Sequence, residues 1–271
     1  MLIPTGARRI AAWALTASVA ATIPGCALTD IATLDLPERN VVVCEQLVVY
    51  SDFPLPKHHR LLEELTALRN DLAIKLDIPT SDEPVHVYLF DTAREFDAFR
   101  RQRFPELSAR RAFFVETDTR LAVYAHWGDR VAEDLRHEVA HGYLHSVVAR
   151  IPLWLDEGLA EYFEVYRGGN GVNGAHLADL NLYLGGAWQA DLERLESLTD
   201  VEELTQEDYA ESWAWVHWLL ETPERRQTLR GYLQAVRRDG DAAPLSRVLR
   251  QQVPTPELSL AEHVRRLAAG K

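Results

Sequence analysis

The segment His137-Glu138-Val139-Ala140-His141 has the spacing of a metal site on a helix. Residues four apart lie on the same face of an α-helix, so His137 and His141 can bring their imidazole rings to one ion. Glu138 projects beside them, where a carboxylate can take a proton from a water molecule on that ion. The pattern therefore predicts a zinc site, one ion per chain, with Glu138 as the general base.

A catalytic zinc ion needs a third protein ligand and a position left open for water. The segment 153–162, with the sequence LWLDEGLAEY, follows closely and begins directly after Pro152. A tight turn ahead of that proline would fold a second helix back on the first, with Glu157 and Glu161 facing the same way. Asp156 would be the ligand instead if the second helix were rotated.

Together the two segments resemble the gluzincin metallopeptidases, the group that includes thermolysin and aminopeptidase N. The resemblance is closest to a bacterial family of uncharacterised, exported peptidase-like proteins, and it covers about residues 137–165. It implies that Glu157 is the third zinc ligand. It also implies that Glu161 is the acid that holds a zinc-bound histidine through its other ring nitrogen. The connection between His141 and Glu157 is shorter than in aminopeptidase N.

Two other groups of metallopeptidases are excluded by residues that the chain lacks. Metzincins need H-E-x-x-H-x-x-G-x-x-H, but Leu144 and Val147 stand where the glycine and the third histidine should be. They also need an internal methionine, and Met1 is the only methionine. The same absence removes the G-x-M-E-N strand with which aminopeptidase N holds a free amino terminus, so an endopeptidase is favoured over an aminopeptidase.

Four more residues could belong to the site. His145 lies one turn beyond His141 but about 12 Å along the axis from the first histidine of the motif, so it is interpreted as structural or as part of the cleft wall. Tyr209 is the candidate for polarising the developing oxyanion, by a loose resemblance to the aminopeptidase-N-like arrangement. His217 is its alternative. His176 follows a loop rich in Gly and Asn and is expected in solvent.

Hydrophobic patterning indicates an α+β fold that positions the zinc helix. Alternating and β-branched residues predict strands at 41–50, 85–90, 112–115 and 121–125, the last two joined as a hairpin. Helical spacing predicts helices over 58–77, 91–103, 130–149, 154–166, 177–200, 207–221, 223–238, 244–251 and 259–268. We expect a small mixed or antiparallel sheet, its edge hairpin packed on the zinc helix, and then a mostly helical C-terminal lobe.

The resemblance to gluzincins also gives the hairpin a function. In those enzymes the strand before the zinc helix lines the cleft and binds the substrate backbone by strand addition. Residues 121–125 would be that edge strand here. His126 and Trp127 would then lie at its end, near the zinc ion.

The first 26 residues have the pattern of a secretory signal peptide. Two arginines precede an apolar run over 10–23, and the stretch contains no acidic residue. The run is too short for a permanent membrane anchor. The segment Ile23-Pro24-Gly25-Cys26 resembles a bacterial lipobox, which predicts lipidation of Cys26; the alternatives are an ordinary cleaved signal or a Cys26–Cys44 disulfide. The expected location is the cell envelope, lipid-anchored, or otherwise the periplasm or the medium.

The predicted organisation is a signal peptide over 1–26, a tether over 27–40, an α/β part with the zinc helices over 41–166 and a helical lobe closing the cleft over 167–271. The net charge of −12 opposes contact with phosphate backbones, so nucleic acid is not an expected partner. We expect a peptide or protein substrate, and membrane contact only through the N-terminal lipid. The functional hypothesis is an exported zinc metallopeptidase; the alternative is a zinc-binding but inactive surface binding or scaffold module. The oligomeric state stays open.

Overall fold

The computed structural model of the chain describes residues 36–184, 188–240 and 242–270. The predicted signal peptide over 1–26, with Cys26, lies outside the described residues, as does most of the predicted tether over 27–40. Cys44 is buried and forms no disulfide with any described residue.

One mixed sheet of five strands, in the order β1-β2-β3-β5-β4, forms the first part of the fold. The strands are β1 (Asn40–Cys44), β2 (Leu47–Ser51), β3 (Val85–Phe90), β4 (Ala112–Thr117) and β5 (Arg120–His126). The inner strands β2, β3 and β5 run parallel, and the outer strands β1 and β4 pair antiparallel with their neighbours. Because side chains alternate between the faces of a strand, Val87 belongs to the main core while Tyr88 belongs to an aromatic cluster on the other face.

Ten α-helices occur in the part of the chain that the structure describes. They are α1 (Arg60–Leu76), α2 (Ala93–Arg103), α3 (Val131–His145), α4 (Leu153–Phe163), α5 (Gly174–Tyr183), α6 (Leu192–Ser197), α7 (Gln206–Glu221), α8 (Pro223–Asp239), α9 (Leu245–Gln252) and α10 (Pro256–Ala268). Among the described residues, none of these helices combines the length and the apolar character needed to cross a bilayer.

Helix α3 approaches the sheet closely at a glycine. A β-carbon added at Gly142 would lie 2.7 Å from Cγ1 of Val85 in β3, closer than such atoms pack without a shift. The missing side chain therefore lets the helix lie directly on the strand. Buried Leu135, Val139 and Leu144 make the rest of the apolar face of α3.

Helix α4 is buried between α3 and α7 over most of its surface. It begins after Pro152, whose fixed backbone ends the short connection from α3. A β-carbon at Gly158 would lie only 2.5 Å from the carbonyl oxygen of Ser212 in α7, so glycine is needed for this contact as well. The packing on both sides holds the acidic residues of α4 against α3.

The predicted α+β class is confirmed: the sheet is small and mixed, the hairpin of β4 and β5 packs on α3, and the C-terminal region is mostly helical. The single strand predicted over 41–50 is wrong, because a two-residue turn at Glu45 and Gln46 divides it into β1 and β2. The single helix predicted over 177–200 is also wrong, because α5 ends at Tyr183 and α6 begins at Leu192.

The strand predicted at the sheet edge, 121–125, lies inside the sheet. It belongs to β5, which pairs with β3 on one side and with β4 on the other, so the outer position belongs to β4. His126 and Trp127 were expected near the predicted zinc ion, but neither lines the cleft described below: the ring of His126 lies 5.7 Å from that of Phe96, in the aromatic cluster. His126 pairs with Phe90 of β3, and Trp127 packs its ring against Phe53.

Candidate metal centre

Three donor atoms converge where α3 and α4 face each other. Nε2 of His137 and Nε2 of His141 are 3.3 Å apart. Oε2 of Glu157 lies 3.6 Å from Nε2 of His137 and 3.8 Å from Nε2 of His141. Ligands bound about 2.1 Å from a zinc ion at tetrahedral angles are separated by about 3.4 Å. The three atoms are therefore positioned to hold a metal ion of about that size.

The other ring nitrogen of each histidine lies against a carboxylate. Oε2 of Glu164 is 3.0 Å from Nδ1 of His137, and Oδ1 of Asp156 is 3.1 Å from Nδ1 of His141. A carboxylate in this position fixes the orientation of the ring and increases its basicity. Burial lowers the pKa of His137, but Glu157 and Glu164 outweigh this effect, so the pKa is raised well above its usual value.

Glu161 was predicted to hold a histidine through its outer ring nitrogen. In the structure Glu164, not Glu161, contacts that nitrogen of His137. At about 100° per residue, Glu161 is rotated about 40° from Glu157 in one direction, whereas Glu164 is rotated about 20° in the other. Only the second rotation directs the carboxylate towards Nδ1 of His137. Oε2 of Glu161 instead lies 2.7 Å from Nε2 of His176.

His176 is buried, which contradicts the expectation that it lies in solvent. The loop before it ends at Asn173, whose side chain accepts hydrogen bonds from the first amide groups of α5. His176 therefore lies in the first turn of a helix that packs on α7, with its ring 6.0 Å from that of Trp213. Helical spacing predicted a helix that starts at residue 177, but α5 begins three residues earlier, at Gly174, and so includes His176.

Asp156 lies between two histidines and is not part of the converging set. Besides its contact with His141, its Oδ2 is 2.8 Å from Nε2 of His145. Nδ1 of His145 in turn lies 2.7 Å from Oε2 of Glu116 on β4. Burial lowers the pKa of His145, but Asp156 and Glu116 raise it more, to about 10. A positively charged His145 thus holds Asp156 in place, in agreement with the structural interpretation.

Glu138 and Tyr209 line the same cleft as the three donor residues. This cleft has a volume of about 470 Å³ and is closed on one side by β4, including Phe114. Burial raises the pKa of the Glu138 carboxyl and that of the Tyr209 hydroxyl. Arg110, in the segment between α2 and β4, also lines the cleft. The sequence offered no signal for Arg110, because it lies in no periodic segment.

His217, the alternative to Tyr209, lies elsewhere. Its Nδ1 is 2.9 Å from Nε2 of His263 in α10, and both rings are buried. It does not line the cleft. Of the two candidates for polarising an oxyanion, only Tyr209 shares a cavity with the histidines of α3.

Two further sets of donor atoms converge beside the first. They comprise His141 with His145 and Asp156, and His137 with Glu161 and Glu164. Each shares a histidine with the first set. The imidazole–carboxylate contacts described above account for their geometry.

Residues 131–240 match the model of a family described as "Protein of unknown function (DUF1570)". The match runs from the start of α3 into the end of α8, so it contains all three converging donors as well as Glu138 and Tyr209. The chain is similar to this family over less than half of its length. A search of curated proteins found no match.

Proposed function

We propose that this protein is a zinc-dependent metallopeptidase of the gluzincin type, and an endopeptidase rather than an aminopeptidase. The observation that carries the proposal is the convergence of Nε2 of His137, Nε2 of His141 and Oε2 of Glu157, with Glu138 in the same cleft. A site that only holds a metal has no need of a carboxylate beside the open position.

The donor set fits zinc. Two imidazole nitrogens and one carboxylate oxygen are the ligands of the His₂Glu type of catalytic site. Magnesium and calcium prefer sites made of oxygen atoms, so the two histidines argue against them. The carboxylates of Glu164 and Asp156 on the outer ring nitrogens are the supports that such histidines usually have.

In the hydrolysis of an amide, each of the residues in the cleft would have a separate role. Zinc, when bound, supplies a Lewis acid that polarises the carbonyl group and increases the acidity of water. Glu138 accepts a proton from the attacking water and then delivers it to the amide nitrogen as the carbon–nitrogen bond breaks. The hydroxyl of Tyr209 donates a hydrogen bond to the oxygen on which negative charge develops.

The substrate we propose is an extended peptide. β4 is the outermost strand on its side of the sheet and lines the cleft, so the edge at which it pairs with no described strand can accept a peptide backbone as an added strand. The ring of Phe114 lies 5.9 Å from that of His141, close to where the scissile bond would lie. Strand addition forms hydrogen bonds with the substrate backbone, whatever its sequence. A preference for particular substrate side chains would come from the residues of the cleft around the added strand.

We further propose that the protein acts outside the cytoplasm. The support is the signal-peptide pattern of residues 1–26 and the lipobox-like segment ending at Cys26. Lipidation of Cys26 would attach the protein to the cell envelope; an ordinary cleaved signal would leave it in the periplasm or the medium.

Metal analysis and a peptide library test the proposal with three proteins. The wild type is expected to contain one zinc ion per chain and to cleave peptides. Glu138→Gln is expected to keep the zinc and lose cleavage, whereas His141→Ala is expected to lose both.

Absence of zinc after purification in the presence of zinc would overturn the proposal. Cleavage at the wild-type rate by Glu138→Gln would also overturn it, because a contaminating protease would then be responsible. Bound zinc without cleavage of any library peptide would identify the inactive binding module instead.

A further inference from the structure

A second cavity lies apart from the metal centre. It has a volume of about 680 Å³ and is enclosed by α1, α8 and the segment 165–171 after α4. This volume is within the range of about 300–1,000 Å³ that is typical of sites for small molecules. None of the converging donors, Glu138 or Tyr209 lines it.

One face of α1 forms a wall of this cavity. The lining residues of α1 include Arg60, Glu64, Leu68, Asp71 and Lys75, which are spaced three or four apart. Residues with this spacing lie on one side of a helix. The cavity is therefore bounded by regular structure, not only by a loop.

The lining is strongly basic in an acidic protein. Six lining residues are Arg or Lys and two are Asp or Glu, whereas the whole chain has 41 acidic and 29 basic residues. Both acidic residues already form ion pairs with arginines of the lining. Glu64 contacts both Arg60 and Arg136, and Asp71 pairs with Arg167.

The other three cations donate to neutral oxygen atoms. Arg230 donates to the carbonyl oxygens of Ile74 and Lys75 at the end of α1, and Arg226 donates to that of Leu220. Nζ of Lys75 lies 2.8 Å from the hydroxyl of Tyr162. Among the described residues, no carboxylate forms an ion pair with these three side chains. Carbonyl and hydroxyl groups satisfy hydrogen bonds without cancelling charge, so the cavity keeps a positive potential.

Large apolar side chains stand beside these charges. Ile74 is 74% exposed and Tyr166 is 67% exposed, although both line the cavity. Leu68 and Phe163 are buried in its wall. Apolar side chains that line a cavity of this size beside a few charged groups fit a site for a ligand with an apolar part.

We propose that this cavity binds an amphiphilic anion, that is, a molecule with an apolar chain or ring and one carboxylate or phosphate group. The anionic group would contact Arg226, Arg230 and Lys75, and the apolar part would cover Ile74 and Tyr166. The inference is independent of the proposed peptidase activity, because it uses no residue of the metal centre.

Calorimetric titration of the purified protein with laurate tests the inference. Laurate, below its micelle-forming concentration, is expected to bind with one site per chain. Dodecyltrimethylammonium has the same chain and the opposite charge, and inorganic phosphate has the charge without the chain. Both are expected to bind at least about tenfold more weakly, since charge-assisted hydrogen bonds and apolar contacts each contribute at this level. Equal binding of either control compound would overturn the inference.

Two variants with matched controls locate the site. Arg226→Gln and Ile74→Asn are each expected to weaken laurate binding, by about tenfold for the arginine. Arg238→Gln is an arginine change in the same helix, and Leu258→Asn changes a similarly exposed apolar side chain; neither residue lines the cavity. Ile74 is largely exposed, so its variant keeps the test valid even if Arg226→Gln does not fold. Equal affinity in Ile74→Asn and wild type would refute the assignment.

Vesicles of phosphatidylglycerol distinguish a lipid headgroup from a free amphiphile. Co-sedimentation with these vesicles that Ile74→Asn abolishes would identify a membrane lipid as the source of the anion. Laurate binding without co-sedimentation would identify a free molecule. Binding of neither laurate nor vesicles would overturn the inference.

Discussion

Replacing Glu164 by glutamine is expected to weaken zinc binding by about 10- to 100-fold. Glu164 lies 3.0 Å from Nδ1 of His137, and both side chains are less than one-fifth exposed, so solvent screens the contact little. Glutamine has nearly the same size but no charge. The expected loss corresponds to about 1.4–2.8 kcal/mol of binding free energy.

Glu161→Gln is the matched control. Glu161 is a second glutamate near the end of α4 that is also mostly buried, but its carboxylate contacts His176 rather than His137. Its replacement is expected to change the zinc dissociation constant by less than about threefold. Competition with a chromophoric zinc chelator at neutral pH measures both constants, and far-ultraviolet circular dichroism confirms that each variant is folded.

The comparison can refute the assignment in two ways. If Glu164→Gln binds zinc within about twofold of the wild type, the carboxylate does not support His137 as typical outer-nitrogen partners do. If Glu161→Gln is the weaker binder, the role belongs to Glu161, as the sequence resemblance implied.

Three further experiments test the packing of α4 on α7, the acid sensitivity of the fold and the binding of metal. Gly158→Ala is expected to lower the free energy of unfolding, measured by urea titration, by about 1–3 kcal/mol, because its β-carbon would meet the carbonyl of Ser212. Its control is Gly231→Ala in α8, where the new β-carbon would meet open space, so the free energy of unfolding should stay the same or rise. Burial lowers the pKa of His217 from 6.5 to about 4, so the folded chain resists a proton that the unfolded chain accepts. His263, in contact with His217, has its pKa lowered to about 4 by burial as well. Protonation of this pair should therefore lower the free energy of unfolding by about 3 kcal/mol as the pH drops through this interval, and a smaller fall in His217→Gln than in the wild type would confirm the source. Removal of metal with a chelator should lower the thermal midpoint of the wild type and leave that of His141→Ala unchanged, since only a protein that binds the ion is stabilised by it.

That His137 and His141 face one ion followed from simple spacing, whereas the choice of Glu157 over Asp156 came from the resemblance to gluzincins. Residues four apart share a helix face, and Pro152 predicted the turn that places α4 against α3. Both inferences use only local helix geometry and the position of one proline. The ligand role of these residues stays a prediction.

The turn between β1 and β2 could not be predicted because distant contacts stabilise it. Glu45 adopts a left-handed backbone conformation without being Gly, Asn or Asp, the residues that usually mark such turns. Gln46 donates to the carbonyl oxygen of Glu83 and to Ser146 Oγ, and accepts a hydrogen bond from Arg69. These partners lie far away in sequence, so no local pattern reveals the turn.

The sequence did not predict the contact of Glu164 with the outer ring nitrogen of His137, for a related reason. The choice between Glu161 and Glu164 depends on a rotation of α4 by a few tens of degrees, which the contact of Gly158 with α7 determines. Hydrophobic periodicity predicts which side of a helix is buried, but it does not give the rotation with the accuracy that a single hydrogen bond requires.

Two of the close-packed glycines, one in α3 and one in α4, each follow a donor residue directly. His141 precedes Gly142, which touches β3, and Glu157 precedes Gly158, which touches α7. The backbone at each donor therefore cannot shift without opening a contact in the core. Folding itself brings the donors to the separation that an ion requires, so metal binding has little conformational entropy left to remove. A substitution at either glycine would thus change metal affinity and stability together, although neither residue has a side chain that could touch the ion.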